Sequence, residues 1–256
     1  MRPGLRDRRL DLHAVAVPRF YVDAALRAGS SCHLAEDAAH HAVHVLRLRT
    51  GDNVTLFNGR GGEYPGRISS MQRLQISVDV LEHRAIERES PLHVVLVQGV
   101  SSGERMEFTI RKAVELGVAE IRPVLAAGSV ARPKGERAAA RQGHWQKIAI
   151  AGCEQCGRNR VPPVHPLTEA REFRAEGDGV RILLSPLAEL SFSRTIRKPQ
   201  SSFVIAAGPE AGFNAGEERA FLDAGFVPAR LGPRVLRTET AALAALAALA
   251  ALCGDF

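Results

Sequence analysis

The stretch FVIAAGPEAGF, residues 203–213, places a short apolar run directly before a loop rich in glycine. An unbroken apolar run such as 203–207 is typical of a strand that is buried on both faces of a parallel sheet. The loop 208–213 would then lie at the carboxyl end of that strand, where open α/β sheets bind ligands. Glycine there would let the backbone approach a ligand, although a plain strand-to-helix turn would use the same residues.

Similar apolar runs, separated by helical patterns, lie on both sides of this stretch. The pattern predicts strands at 92–97, 121–125, 180–184 and 227–231, and helices at 104–116, 138–156, 215–224 and 238–252. Asn214 and Glu217 have the spacing of a capping box, which marks the start of a helix. In the helix 104–116 we expect five side chains to face the core: Phe108, Ile110, Ala113, Val114 and Leu116. Strands that alternate with helices predict an α/β domain with a mainly parallel sheet.

The first third of the chain has a different pattern. A helical segment at 34–48 lies among short strand-like segments at 19–22, 54–57, 64–68 and 74–81, with a turn signal at Asn58-Gly59. This indicates a small β-barrel domain with one helix. The charged stretch 82–91 is a plausible linker. We therefore divide the chain into a basic disordered arm at 1–18, a β-rich domain at 19–88 and an α/β domain at 89–256; the arm could also reflect a start codon placed too early.

A second loop, LGPRVLRTETA at 231–241, packs glycine, proline and two arginines into a short connection before the last helix. A plain turn does not need two arginines, although surface salt bridges could account for them. Phosphate-binding motifs of the GxxxxGK[ST] and GxGxxG types are missing from the sequence, which argues against an ATPase and a standard dinucleotide-binding fold. The last helix is alanine-rich, with leucine at every third position. It is either a good helix former at a chain end or a thin helix that loops or a second subunit enclose tightly.

The net charge of +6 and the pI of about 9.6 favour an anionic partner. The excess is concentrated at 128–165, where seven basic residues face only two acidic ones. We expect this segment to contact RNA phosphates, with Arg137, Arg141 and Arg158 among the contacts. The alternative is a merely solvated basic face.

Metal, redox and membrane functions find little support in the sequence. Cys153 and Cys156 have the spacing of a metal or redox pair, but a second close pair is missing, so buried thiols are the preferred interpretation. His40, His41 and His44 are better explained as a polar helix surface than as metal ligands. The longest apolar stretch, 241–253, is too short for a membrane span. Free thiols without an export signal predict a cytoplasmic protein.

Four segments together resemble the RsmE family of 16S rRNA (uracil-N3)-methyltransferases, which belongs to the knotted SPOUT superfamily. They are GPE at 208–210, LGPRVLRTETA at 231–241, EQCGR at 154–158 and KAVELGV at 112–118. The resemblance covers residues 19–256. It implies a PUA-like RNA-binding domain, a C-terminal domain with a trefoil knot, a homodimer, S-adenosylmethionine as cofactor, and 16S rRNA or the small ribosomal subunit as partner.

The resemblance also implies roles for individual residues. The cofactor site would include Gly208, Pro209, Glu210, Gly212, Leu231, Gly232, Arg234, Val235, Leu236 and Thr238. Arg237 and Glu239 would lie beside the methyl-transfer site. Arg19, His41 and Arg47 would contact RNA. The sequence departs from the family pattern at Ala211, where glycine is usual, and at Gly128, where arginine is frequent.

These expectations describe a methyltransferase that transfers a methyl group to N3 of a uridine in small-subunit ribosomal RNA. Arg237 is the candidate for stabilising the uracil anion, and Glu239 is a candidate base. Two alternatives stay open. One is a methyltransferase of the same superfamily that acts on a ribose 2′-hydroxyl, and the other is a non-catalytic ribosome-assembly factor that binds RNA.

Overall fold

A computed structural model describes residues 17–73, 75–130, 132–196 and 200–256. The chain forms two compact units. The first contains the described residues up to Phe57 together with Glu63–Arg84, and the second contains Asn58–Gly62 and Ala85–Phe256. Almost all of the basic arm predicted at 1–18 lies outside the described residues.

The first unit is β-rich, as the sequence predicts. Its elements are β1 (Arg19–Tyr21), β2 (Ser31–His33), α1 (Glu36–His40), β3 (Asn53–Phe57), β4 (Tyr64–Gln72) and β5 (Gln75–Val80). The sheet order is β1-β3-β4-β5-β2, with β1 parallel to β3 and the other neighbours antiparallel. The helix predicted over 34–48 is shorter than expected, because α1 passes into a π-helical turn at His41–Val45. Arg47 follows that turn and has a φ of 54°.

The second unit is an α/β domain. Its strands are β6 (His93–Gly99), β7 (Glu120–Leu125), β8 (Thr168–Glu169), β9 (Val180–Leu184), β10 (Ser202–Ala207) and β11 (Val227–Ala229). Its helices are α2 (Gly103–Glu115), α3 (Glu136–Cys156), α4 (Phe192–Thr195), α5 (Ala215–Asp223) and α6 (Thr238–Cys253). All six strands are parallel, in the order β11-β9-β10-β6-β7-β8. The mainly parallel sheet is thus confirmed; the knot stays a prediction.

The parallel sheet is covered on both faces. Strand side chains on one face form a core with three phenylalanines: Val95, Val97, Val124, Leu183, Val204, Ala206, Phe173, Phe221 and Phe226. Alternate strand residues point to the opposite face. Leu96 and Ile205 are such residues and are fully buried, and α6 contacts β6 and β10. Burial on both faces explains why these strands have unbroken apolar sequences.

Two helices differ in detail from the prediction. In α2, Phe108 is 43% exposed, whereas Met106 and Thr109 are buried beside Ile110, Ala113 and Val114. In α6, the buried residues follow a single stripe with ordinary helical spacing: Thr238, Ala242, Ala245, Leu246, Leu249 and Ala250. Leu243, Ala244, Ala247 and Ala248, on the other sides of the helix, are half-buried, and Leu252 near its end is 54% exposed. Within the described chain α6 is therefore buried most deeply along one face and partly covered elsewhere.

The segment 85–88, which the sequence places with the first domain, belongs to the second unit. Three hydrogen bonds hold this segment against other residues of the second unit. Asn159 donates a hydrogen bond to the Ile86 carbonyl over 2.6 Å, and Arg88 donates one to the Gly157 carbonyl over 3.2 Å. Glu87 accepts one from the Gly62 amide over 2.8 Å. These bonds shift the start of the second unit a few residues before the predicted boundary.

In the part of the chain that the structure describes, no helix has the length and apolar character needed to cross a membrane.

Candidate active site

The carboxyl ends of β9 and β10 and the connection before α6 surround a cavity of about 540 Å³. The cavity has the size of a small-molecule site. Eight residues that the sequence assigned to the cofactor or the reaction line it: Gly208, Pro209, Glu210, Gly212, Val235, Leu236, Arg237 and Thr238. The structure therefore brings together two loops that are about 20 residues apart in the sequence. Parallel strands make this convergence possible, because their carboxyl ends meet at one edge of the sheet.

The first loop is held close to the start of α6. Thr238 donates a hydrogen bond from Oγ1 to the Gly208 carbonyl over 2.5 Å, and Gln98 Nε2 donates to Thr238 Oγ1 over 3.0 Å. A Cβ at Gly208 would lie 3.0 Å from the Gly212 Cα and 3.1 Å from the Phe213 nitrogen. Only glycine fits at 208 without displacing that backbone.

Glu210 joins the first loop to the start of α2. Its Oε1 accepts a hydrogen bond from the Ser102 amide over 2.9 Å and lies 3.2 Å from Arg105 Nη1. Partial burial would by itself raise the pKa of this carboxyl. The hydrogen bonds from Ser102 and from its own amide, with the nearby Arg105 charge, outweigh burial and lower the pKa below its ordinary value. Glu210 is therefore a charged clamp at neutral pH, as well as a residue of the cavity wall.

The second loop contributes mainly exposed residues. Val235 is 82% exposed, and Arg237 is also exposed where it lines the cavity. Leu231 and Arg234 line a smaller adjoining cavity of about 60 Å³, which shares Leu236 with the larger one. Gly232 has a φ of 86°, the left-handed region that favours glycine. The conformation of the loop is therefore by itself a sufficient reason for glycine at 232, whether or not this residue contacts the cofactor.

The two residues predicted beside the methyl-transfer site differ in their surroundings. The Arg237 side chain makes no hydrogen bond or ion pair with the described residues, so its guanidinium is available to a ligand in the cavity. Glu239 lies in the first turn of α6, and its Oε2 is buried without a hydrogen-bond partner among the described residues. A buried acceptor without a donor is costly. Unlike Arg237, Glu239 is not among the residues that line the cavity, so its role as a base stays a prediction.

Sequence reasoning missed part of the cavity wall. Arg105 from the first turn of α2 lines it, as do Leu184, Ser185, Pro186 and Leu187 after β9. The segment after β9 could have been found, because β9 was predicted as a buried strand whose carboxyl end lies at the same edge. Arg105 could not, because its pairing with Glu210 spans 105 positions of the sequence.

Gly128 and Ala211, the two positions at which the resemblance predicts a departure from the family pattern, lie against each other. A Cβ built on Gly128 would lie 2.8 Å from the Ala211 Cβ, closer than two non-bonded carbon atoms normally approach. The methyl group of Ala211 thus fills the space that any side chain at 128 would need. Glycine at 128 and alanine at 211 are a matched pair in this chain.

The prediction that Arg158 contacts RNA is not supported. Its side chain is only 7% exposed and forms an ion pair with Glu89 over 2.6 Å. Its Nη1 donates to the carbonyl oxygens of Val114 and Val118 over 3.0 and 2.9 Å, at the end of α2. Val114 is in the last turn of α2 and Val118 follows the helix, so Arg158 ties the segment after α3 to this helix end and has a stabilising role there.

Arg19 is also engaged within its own unit. Its Nη1 contacts Glu63 over 2.8 Å, and the side chain is only 13% exposed. The guanidinium lies 5.1 Å from the centre of the Phe57 ring. These contacts do not favour the predicted RNA contact. His41, Arg47 and Arg137 are exposed and Arg141 is half-buried, so these four can reach RNA.

The histidines and cysteines that the sequence singled out form neither a metal site nor a disulfide among the described residues. No group of three or more His, Cys, Asp or Glu side chains there is placed to hold a metal ion. The rings of His40 and His44 pack against each other with centroids 4.5 Å apart. Cys153 is buried and Cys156 is half-buried, both as free thiols.

Comparisons with known proteins identify the family. The family described as RNA methyltransferase domain matches residues 88–250, and the RNA methyltransferase PUA domain matches residues 34–81. The chain is 31% identical over 242 residues to ribosomal RNA small subunit methyltransferase E of Buchnera aphidicola subsp. Acyrthosiphon pisum, covering 94% of this chain and 95% of that one. It is 33% identical over 216 residues to the Bacillus subtilis protein of the same name, covering 81% and 84%.

A solved structure agrees. The Neisseria gonorrhoeae ribosomal RNA small subunit methyltransferase E, crystallised with S-adenosyl methionine, superposes with a TM-score of 0.86 at 39% identity, covering 94% of this chain and 99% of that one. The resemblance drawn from four short motifs is confirmed. This chain belongs to the ribosomal RNA small subunit methyltransferase E family.

Proposed function

We propose that this chain methylates N3 of a uridine in 16S ribosomal RNA, with S-adenosylmethionine as the methyl donor. The observation that carries the proposal is the single cavity of about 540 Å³ onto which both motif loops converge. The names of relatives that match most of the chain support a methyltransferase acting on ribosomal RNA. The N3 position rests on the motif resemblance.

The cavity has features that suit S-adenosylmethionine. Gly208 and Gly212 leave backbone groups accessible, while Val235, Leu236 and Pro209 offer apolar surface to a nucleoside. Arg105 and Glu210 place both signs of charge in the wall, which suits the carboxylate and ammonium of a methionine moiety. When bound, the cofactor supplies a methyl group on a positively charged sulfur, which is reactive towards nucleophiles.

The residues of the chain then have to bind and align the uridine. N3 carries a proton that must leave before or during attack. Arg237 can donate hydrogen bonds to the uracil carbonyl oxygens and stabilise the negative charge that develops. Glu239 is the candidate acceptor of the proton, and orientation of the two reactants supplies the rest of the rate increase.

The family resemblance also suggests an oligomeric state, a chain topology, a cellular location and RNA contacts for this chain. We propose a homodimer with the active site near the subunit interface, a trefoil knot around the cofactor loops, and a cytoplasmic location. His41 and Arg47 of the first unit are proposed to contact the RNA. The second candidate, methylation of a ribose 2′-hydroxyl, has the same cofactor requirement, but the proton acceptor would have to take the hydroxyl proton instead of the imide proton.

Mass spectrometry of nucleosides from small-subunit ribosomal RNA tests the assignment. The RNA would come from cells that lack this gene and from the same cells supplied with the wild-type chain or with Arg237→Ala. We expect 3-methyluridine with the wild-type chain, much less with Arg237→Ala, and none without the gene. Appearance of 2′-O-methyluridine instead would favour the second candidate. Normal cofactor binding without any new methylated nucleoside would indicate an assembly factor.

A further inference from the structure

A cleft of about 600 Å³ lies on the second unit outside the cavity described above. Six residues line it: Arg132, Pro133, Arg137, Ala140, Arg141 and His144. Three of them are arginines, so the cleft, a shallow depression, concentrates positive charge. These charges attract an anion together, because they lie close to one another.

The arginines of this cleft fall into two kinds. Arg132 is held in place: its Nη1 donates to the Ala126 carbonyl over 2.6 Å, and its Nη2 contacts both oxygens of Glu169 over 2.7 and 2.8 Å. The side chains of Arg137 and Arg141 make no hydrogen bond or ion pair with the described residues. Arg132 therefore forms a fixed wall whose charge Glu169 largely balances, while the other two are free to contact a ligand.

Helix geometry sets the distance between the two free cations. Arg137 and Arg141 are four residues apart in α3 and therefore share one face of the helix. At 1.5 Å per residue they are about 6 Å apart along the axis. Without an anion, two neighbouring like charges at this spacing destabilise the helix slightly. Two consecutive phosphates of a nucleic-acid strand would neutralise both.

The cleft is connected to the candidate active site through the loop after β7. Arg132 binds the Ala126 carbonyl at the start of this loop, and Gly128 within it packs against Ala211 of the cofactor loop. The Ala127 amide donates to Glu217 Oε1 over 2.6 Å. One short loop therefore separates the basic cleft from the candidate active site.

We propose that this cleft binds the phosphodiester backbone of the RNA substrate, with Arg137 and Arg141 on consecutive phosphates and Arg132 as the rigid wall. The proposal rests on the proposed function only in taking RNA as the substrate. It adds a site that fixes the strand beside the target nucleotide. Contacts of this kind position the strand and carry no base specificity.

The salt dependence of RNA binding tests the proposal. The probe is a fluorescein-labelled oligouridylate, titrated with the full chain over a series of potassium chloride concentrations. Each phosphate contact to single-stranded RNA contributes about −0.7 to the slope of log K against log salt, so Arg137→Ala with Arg141→Ala should flatten the slope by about 1.4. The charge-preserving pair Arg137→Lys with Arg141→Lys should retain most of the slope.

A matched control uses two arginines outside the cleft. Arg111→Ala with Arg194→Ala removes the same charge from exposed helical positions, and it should leave the slope near the wild-type value. Equal flattening by both pairs would mean that only the total charge matters, and it would refute the proposal that the cleft binds the RNA backbone. An unchanged slope in the Arg137 and Arg141 pair would overturn it as well. Circular dichroism and calorimetry with S-adenosylmethionine establish that each variant is folded.

The oligouridylate separates this proposal from the function proposed above. It reports phosphate contacts whichever atom of the RNA is methylated. If nucleoside analysis showed a product other than 3-methyluridine while the slope still fell in the double variant, the cleft would stand. If 3-methyluridine formed normally and the slope did not change, the cleft would be refuted and the activity would stand.

Discussion

Replacing Arg158 by alanine should destabilise the second unit without removing a phosphate contact. The arginine lies at the end of α2 and holds Glu89 from the linker in an ion pair. It also donates to the carbonyl oxygens of Val114, in the last turn of α2, and of Val118, just after α2. Alanine would remove all of these bonds together and leave the Glu89 carboxylate in a largely buried place.

The size of the effect follows from the burial of the pair. Breaking a buried ion pair by removing one partner costs about 3–5 kcal/mol. Glu89 is 19% exposed and can regain some water, so we expect a loss near the lower end, about 3 kcal/mol. In a chain of this size each kcal/mol lowers the midpoint of thermal unfolding by about 2–4 °C, so the midpoint should fall by about 6–12 °C.

Thermal unfolding followed by circular dichroism measures this change, and the neighbouring Arg160 provides the control. Its side chain is 59% exposed and lies 3.7 Å from Glu87. Surface pairs of this kind contribute about 0–1 kcal/mol, so Arg160→Ala should shift the midpoint little. Below the lowered midpoint, Arg158→Ala should bind RNA with the wild-type salt slope. If Arg158→Ala had unchanged thermal stability and a flattened salt slope, the structural role would be refuted and the predicted RNA contact of Arg158 would be supported.

Three further changes test the candidate active site. Gly208→Val should weaken S-adenosylmethionine binding at least tenfold in calorimetry, because its Cβ would crowd the Gly212 backbone; unchanged affinity in a folded variant would exclude the loop from the site. Arg237→Ala should lower single-turnover methylation by about 10²–10³-fold and change cofactor affinity far less; the opposite pattern would make it a cofactor-binding residue. Glu210→Gln should weaken the clamp on Arg105 at neutral pH. Since the Glu210 pKa is lowered in the fold, the wild-type clamp should be lost only as the pH falls through that lowered value, and cofactor affinity equal to wild type at pH 7 would contradict its role.

Much of the second unit could be predicted because its segments carry strong local patterns. Strands such as β10 are apolar throughout, since helices cover both faces of the sheet. The capping box at Asn214 and Glu217 is formed as predicted, with both reciprocal hydrogen bonds. The elements that were missed, β2, β8 and α4, contain two to four residues. Segments of that length are too short to show a period, and tertiary hydrogen bonds define them.

The motif loops were predicted to act together, but the sequence could not show how they meet. The strand order β11-β9-β10-β6-β7-β8 places the carboxyl ends of β9 and β10 side by side, which adds Ser185 and Pro186 to the cavity. The fold also brings Arg105 to Glu210. Pairing between distant strands depends on side-chain packing and not on local sequence, so these neighbours appear only in three dimensions.

By itself, the sequence determined the α/β class of the second unit, the family and eight of the residues around the cavity, because each leaves a local pattern or motif. Only the tertiary structure decided which charges are free. Arg158 and Arg137 both belong to the same basic segment of the sequence, yet one is buried at a helix end and the other is exposed in a cleft. The charge of an arginine is fixed by its chemistry, but its partners depend on which distant carbonyls and carboxylates the fold brings within hydrogen-bond distance.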